Sequence, residues 1–215
     1  MKRIFLYVLS VVLLCATNVM ASAFSLGANL STLGYGLEAK YKISERFAAR
    51  LAGHQYTYDT EQDVDDITYE YDWELSNYTA ALDYHPFKGA FRLSLGALFN
   101  QNKFKLNAEY TTGIEIGDTV YTVDTLTGEV SFEEVVPYLT LGWDTSFRRE
   151  KGFGFIAELG VFFQGEPKVE FTATGTATAA PGFSDDLETE EEDAQEDLSE
   201  FQVYPVIVLG LNYKF

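Results

Sequence analysis

The sequence predicts an all-β protein, an eight-stranded antiparallel up-and-down transmembrane β-barrel with long acidic extracellular loops. Three observations predict it. Apolar residues recur at every second position, short turns alternate with long polar stretches, and an aromatic stands at the short-turn end of each proposed strand. Period two is the spacing of a strand with one apolar face. Short connections alternating with long ones mark the two sides of an outer-membrane barrel.

The chain has 215 residues and opens with Lys2 and Arg3, an apolar run from Ile4 to Cys15 broken only by Ser10, and Ala21-Ser22-Ala23. A basic start, an apolar stretch and a small-x-small end read as a secretory signal peptide, residues 1–23, which leaves 24–215 as the barrel. Cys15 leaves with it, so the mature chain carries no thiol and is no disulfide scaffold. No later segment offers about 20 consecutive apolar residues, the length a spanning helix needs.

The strands follow in order. Residues 24–31 alternate Phe24, Leu26, Ala28 and Leu30 with Ser25, Gly27, Asn29 and Ser31, and turn over at Ser31–Gly34. The next strands are 33–42, 47–58, 68–85, 91–108, 135–147, 153–171 and 201–215. Ile43–Arg46, Pro86–Ala90 and Arg148–Gly152 are the short turns, and 59–74, 109–134 and 172–200 are the long polar stretches. Phe24, Tyr41, Phe47, Tyr84, Phe91, Phe147, Phe153, and Tyr213 with Phe215 stand at the short-turn ends. A ring of amphipathic aromatics at one height is what a lipid–water interface selects. A soluble sandwich has no reason to build one.

Charge is placed along the same axis. The chain holds 33 acids and 15 bases, a net charge of −18, and the three long stretches hold 25 of those acids with no Lys or Arg among them. Bases gather at the short turns: Lys42, Arg46, Lys88, Arg148, Arg149 and Lys151. This balance excludes nucleic acid as a partner, because no basic face displaces phosphate counterions. Two His and one Cys leave too little for a zinc site. Neither a metal nor a cofactor is expected.

Opposite the lipid face, the alternation places Glu38, Lys40, Arg50, His54, Asp83, Arg92, Asp144, Glu158 and Lys214 in the lumen. Unpaired charges there are costly, so a connected ion-pair network is expected. An eight-stranded barrel is only just wide enough for its own side chains. The network is therefore either the polar core of a closed barrel or the lining of a narrow path that sorts small solutes. Asp185, Asp186, Glu190, Glu191, Glu192 and Asp193 form an acidic run that attracts cations. It lacks the spaced pattern and glycine of a calcium loop and reads as a solvated, mobile loop. No enzyme is expected, since His54 and His85 lie on different strands with no paired Ser or orienting acid.

The stretches 32–42 (TLGYGLEAKYK), 83–87 (DYHPF), 136–143 (VPYLTLGW) and 152–169 (GFGFIAELGVFFQGEPKV) resemble those of small bacterial barrels of the ornithine-uptake, carbapenem-susceptibility porin type. The likeness runs from about Leu26 to Phe171 and through the last strand, and leaves out 172–200. It implies an eight-stranded outer-membrane barrel with a proposed role in passing basic amino acids; a monomer in the outer membrane of a Gram-negative bacterium is expected. The end of the chain, with Tyr213 and Phe215, resembles the signal read by the outer-membrane assembly machinery. The expected function is a narrow channel for small cationic solutes. The alternative is a closed structural or interaction barrel whose acidic loops meet divalent cations or an external partner.

Overall fold

The computed structural model describes residues 23–64, 67–110, 113–117 and 119–215, with only the backbone for 63, 64 and 67. The expected signal peptide, apart from Ala23, lies outside them. Thirteen strands are seen: β1 (Phe24–Ser31), β2 (Gly34–Lys42), β3 (Phe47–Val64), β4 (Ile67–Tyr84), β5 (Phe91–Asn100), β6 (Lys103–Glu109), β7 (Ile114–Ile116), β8 (Thr119–Tyr121), β9 (Thr125–Ser131), β10 (Val135–Asp144), β11 (Gly152–Phe163), β12 (Lys168–Thr174) and β13 (Val203–Lys214). Among the described residues, a short 3-10 turn at Thr176–Ala179 precedes one α-helix, α1, at Phe183–Leu198.

Eight of these strands close a barrel. Neighbours pair in the order β4, β3, β2, β1, β13, β11, β10, β5, and β5 pairs back onto β4. Every pairing is antiparallel, so no barrel edge is left open. The first hairpin turns at Thr32 and Leu33, between β1 and β2.

The alternation sorts side chains as the pleat requires. Leu51, Leu82, Leu95, Leu139, Leu159 and Leu209 point outward, while Asp83, Arg92 and Asp144 are fully buried inside. Phe91 to Phe99 on β5 spans nine residues, matching the roughly 9–11 that a tilted strand needs to cross a bilayer. Tyr35, Tyr78, Phe99 and Phe163 ring the upper end of this apolar band. A greasy outside around a charged inside is the reverse of a water-soluble protein, and lipid is the solvent it suits.

Phe147 departs from the expected aromatic ring. β10 ends at Asp144, and the turn that follows breaks the alternation, so Phe147 swings under the barrel and is buried. Trp143 takes the lipid-facing place instead, edge-on to Phe91 at 5.5 Å.

The long polar stretches are mostly ordered strand and helix rather than loop. On one side of the barrel the strands run on into a head, a five-stranded sheet ordered β3-β4-β6-β9-β12. The β3–β4 register holds from Phe47↔Tyr84 to Val64↔Ile67 without a bulge. The two faces of the head sheet therefore continue the inner and outer faces of the barrel. β11 and β12, expected as one strand, are interrupted at 164–167, where Gly165 adopts φ +73° and Pro167 follows. The interruption turns Val169 and Phe171 onto the inner face, where odd positions of β11 faced lipid. The acidic run expected as a mobile loop is helix α1, with Asp185 and Asp186 in its first turn, where acids suit the helix dipole.

Candidate functional site

The lumen is filled in layers. Nearest the head, Leu33 from the first hairpin drops into a cluster with Leu98, Val136, Phe162, Val206 and Val208. Tyr204 donates its hydroxyl to the Thr32 carbonyl at 2.8 Å and holds that hairpin down. These inward residues are apolar because nothing at this level requires charge.

Below lies a closed ring of four charges. Arg50 donates to Asp83 at 3.2 Å and to Glu158 at 3.0 Å, and Arg92 donates to Asp83 at 3.1 Å and to Glu158. Each guanidinium bridges both carboxylates, and each carboxylate takes both guanidiniums, the fork geometry that favours Arg at such places. Tyr138 at 2.6 Å and Thr140 donate to Glu158, and Ser94 donates to Asp83 at 2.7 Å. Inward glycines make the room: a Cβ on Gly27 would stand 2.9 Å from the Glu38 Cγ.

A second group sits nearer the short turns. Lys40 pairs with Asp144, and with Glu38 at 3.4 Å. Asp144 also accepts from the Asn212 amide at 2.9 Å and from the Ser146 backbone and hydroxyl at 2.9 and 2.7 Å. Phe147 closes the bottom, stacked on His85 with ring centroids 3.4 Å apart and nearly parallel. Its carbonyl accepts from Lys42 at 3.4 Å and Lys214 at 3.3 Å. The space left between Lys40, Asp144, Phe147 and Lys214 is about 10 Å³, at or below what one water requires.

Eight charges expected in the lumen (Glu38, Lys40, Arg50, Asp83, Arg92, Asp144, Glu158 and Lys214) are all buried, and they balance at four acids and four bases. His54 stands apart from both groups, its Nε2 2.9 Å from the Asn29 Oδ1. His85 Nδ1 lies 2.8 Å from the Gly89 carbonyl. The sequence reading missed Tyr138, Thr140, Ser94 and Asn212, although each shares the inward parity of its strand. It missed the plug role of Phe147 because a turn, not an alternation, decides it.

Three of the seven acids in the 185–193 run tie the head together. Asp186 accepts from the Tyr121 hydroxyl at 2.6 Å, Glu190 from the Gly117 amide at 3.2 Å, and Glu191 from the Phe171 amide at 2.5 Å. Among the described residues, no group of three His, Cys, Asp or Glu is placed to hold a metal ion.

The outer face of the head sheet is charged. Lys103 and Lys105 pair with Glu129 at 2.8 and 2.9 Å, which holds the Glu129 carboxyl below its ordinary value of 4.5. Asp72 lies directly across from Asp59. Partial burial, together with the neighbouring Asp59, raises the Asp72 carboxyl above its ordinary value of 3.8. A raised carboxyl favours the folded head as pH falls through that raised value, and the benefit is lost as pH rises above it. Glu129 works the other way, but its contribution is lost only below 4.5. Melting of the head, followed by protease cleavage, is therefore expected to shift upward as pH falls through the raised Asp72 value. Asp72→Asn is expected to flatten that rise, and an unchanged slope in the variant would contradict this assignment.

No family model matches the chain, and no curated protein matches it. Solved structures do, among them two from Acinetobacter baumannii. The crystal structure of Acinetobacter baumannii CarO aligns over 89% of this chain and 97% of its own, at 18% identity and a TM-score of 0.58. That of Acinetobacter baumannii CarO2 aligns over 89% and 98%, at 18% identity and a TM-score of 0.59. The fold is that of the eight-stranded outer-membrane barrels.

Proposed function

We propose that the protein is a closed, monomeric barrel in the outer membrane of a Gram-negative bacterium, and that it anchors the acidic head as its working end. The observation that carries this reading is the sealed lumen. Leu33, Leu98, Phe162 and Val206 in the apolar layer and Asp83, Arg92 and Asp144 below it are each 0% exposed. A path one water wide would leave accessible surface on the residues lining it. A charge-sorting path also works through an unbalanced field, and here four acids face four bases. The polar core is better read as the filling of a narrow barrel than as the lining of a solute route.

Liposome swelling with ornithine, arginine and glutamate tests this. The expected result is no swelling above protein-free vesicles. Faster swelling with ornithine and arginine than with glutamate would overturn it and restore the cationic channel. Cationic ligands and divalent ions are the partners suited to the acidic head. If divalent ions are among them, added calcium slows protease cleavage of the head, and unchanged cleavage removes them. Tyr213 and Phe215 close the last strand, with the Phe215 amide bonded to the Phe24 carbonyl at 3.1 Å. We assign these two residues to recognition by the assembly machinery. Truncation of Phe215 is expected to lower the amount of folded protein in the membrane, and an undiminished amount would contradict that role.

A further inference from the structure

The inner face of the head sheet is aromatic where its outer face is charged. Tyr69, Tyr71 and Trp73 of β4 lie beside Phe104 of β6, with Phe171 of β12 beyond. Helix α1 covers only the β12 side, through Ala194 and Leu198, and leaves a groove of about 250 Å³. That is just below the span of small-ligand pockets, roughly 300–1,000 Å³. The groove is open on its β4 side, where Trp73 is 46% and Tyr58 46% exposed. A half-covered aromatic face over the barrel mouth is an incomplete core, and such patches mark binding sites.

Charge selects the occupant. Helix α1, which lies on the groove's side of the sheet, carries nine acids and no base. Of the sheet's cations, Lys103 and Lys105 pair with Glu129 on the opposite face, where Lys168 also lies, although Lys105 borders the groove as well. The groove therefore sits in a negative field, and its ring faces attract cations. We propose that it binds an organic cation with an apolar or aromatic body, the body between Trp73, Phe104 and Phe171 and the charge towards the acids of helix α1, whose Glu191 accepts from the Phe171 amide. This deepens the reading of the head as the working end. The two fail separately, because liposome swelling tests the lumen and Trp73 reports the groove.

The experiment uses the mature chain with Trp143→Phe in zwitterionic lipid nanodiscs, so that Trp73 is its only tryptophan. Three probes share one body: 4-phenylbutylammonium, 4-phenylbutanol and 4-phenylbutanoate. The expected result is a saturable change in Trp73 fluorescence, absent from empty nanodiscs. The cation should bind about tenfold tighter than the anion, and that gap should shrink as salt screens the field. Ala194→Phe, which fills the groove without truncating the head, should weaken the cation at least tenfold with barrel migration unchanged. Phe104→Leu keeps the apolar volume and should lower the preference for the cation while retaining the alcohol. Equal affinity for all three probes overturns the cationic ligand. An absent response, or one that Ala194→Phe does not weaken, overturns the site.

Discussion

Arg92→Ala is expected to lower the unfolding free energy by about 3–5 kcal/mol, the cost of removing one partner from a buried ion pair. The loss is large because Arg92 bridges Asp83 and Glu158, both without solvent contact, and Arg50 alone then faces two carboxylates. Urea unfolding in lipid vesicles reads it. The comparison is Lys88→Ala, which removes an ion pair with Glu45 whose partners are 52% and 72% exposed. Exposed pairs contribute about 0–1 kcal/mol. Arg92→Lys should fall between the two, since it keeps the charge and loses the fork. Equal effects for Arg92→Ala and Lys88→Ala would mean that water fills the lumen.

Leu95→Arg is expected to cost about 2–4 kcal/mol, the penalty for a cation on the lipid face near mid-depth. Leu95 is 65% exposed and Val120, in the β7–β8 hairpin of the head, is 70% exposed. In water the two positions are equivalent, and Val120→Arg should change stability little. Only hydrocarbon around the barrel separates them. Matching urea midpoints for the two variants would contradict the lipid-facing assignment.

The barrel was legible because its strands obey one local rule. Alternation in β5, β11 and β13 places Phe91, Phe153 and Leu211 outside and Arg92, Glu158 and Asn212 inside, and pleat geometry enforces that phase over long stretches. Those eight lumen charges were legible for the same reason, since a cation on the lipid face is too costly to tolerate. What was not legible depends on breaks in the rule. Phe147 keeps the parity of the outward residues of β10, yet the strand stops at Asp144 and the side chain becomes a plug. The head was read as loop because its acids look like solvent. On β3 and β4, Asp59 and Asp72 alternate with Tyr58, Trp73 and Tyr71, the same period two continued above the membrane. Helix α1 hides further, because its acids outnumber the Phe183, Leu187, Ala194 and Leu198 face and three of them serve as hydrogen-bond acceptors within the head.

A barrel wet by lipid outside and dry within can be tested on both sides in one experiment, because residues 24–215 hold no cysteine. Ser94→Cys points into the lumen, beside Asp83, and Leu95→Cys points out. In reconstituted vesicles, Ser94→Cys should resist the small water-soluble reagent methanethiosulfonate ethylammonium, and Leu95→Cys should react with a bilayer-soluble pyrene maleimide alone. Rapid modification of Ser94→Cys from water, or of Leu95→Cys by the water-soluble reagent, would contradict it.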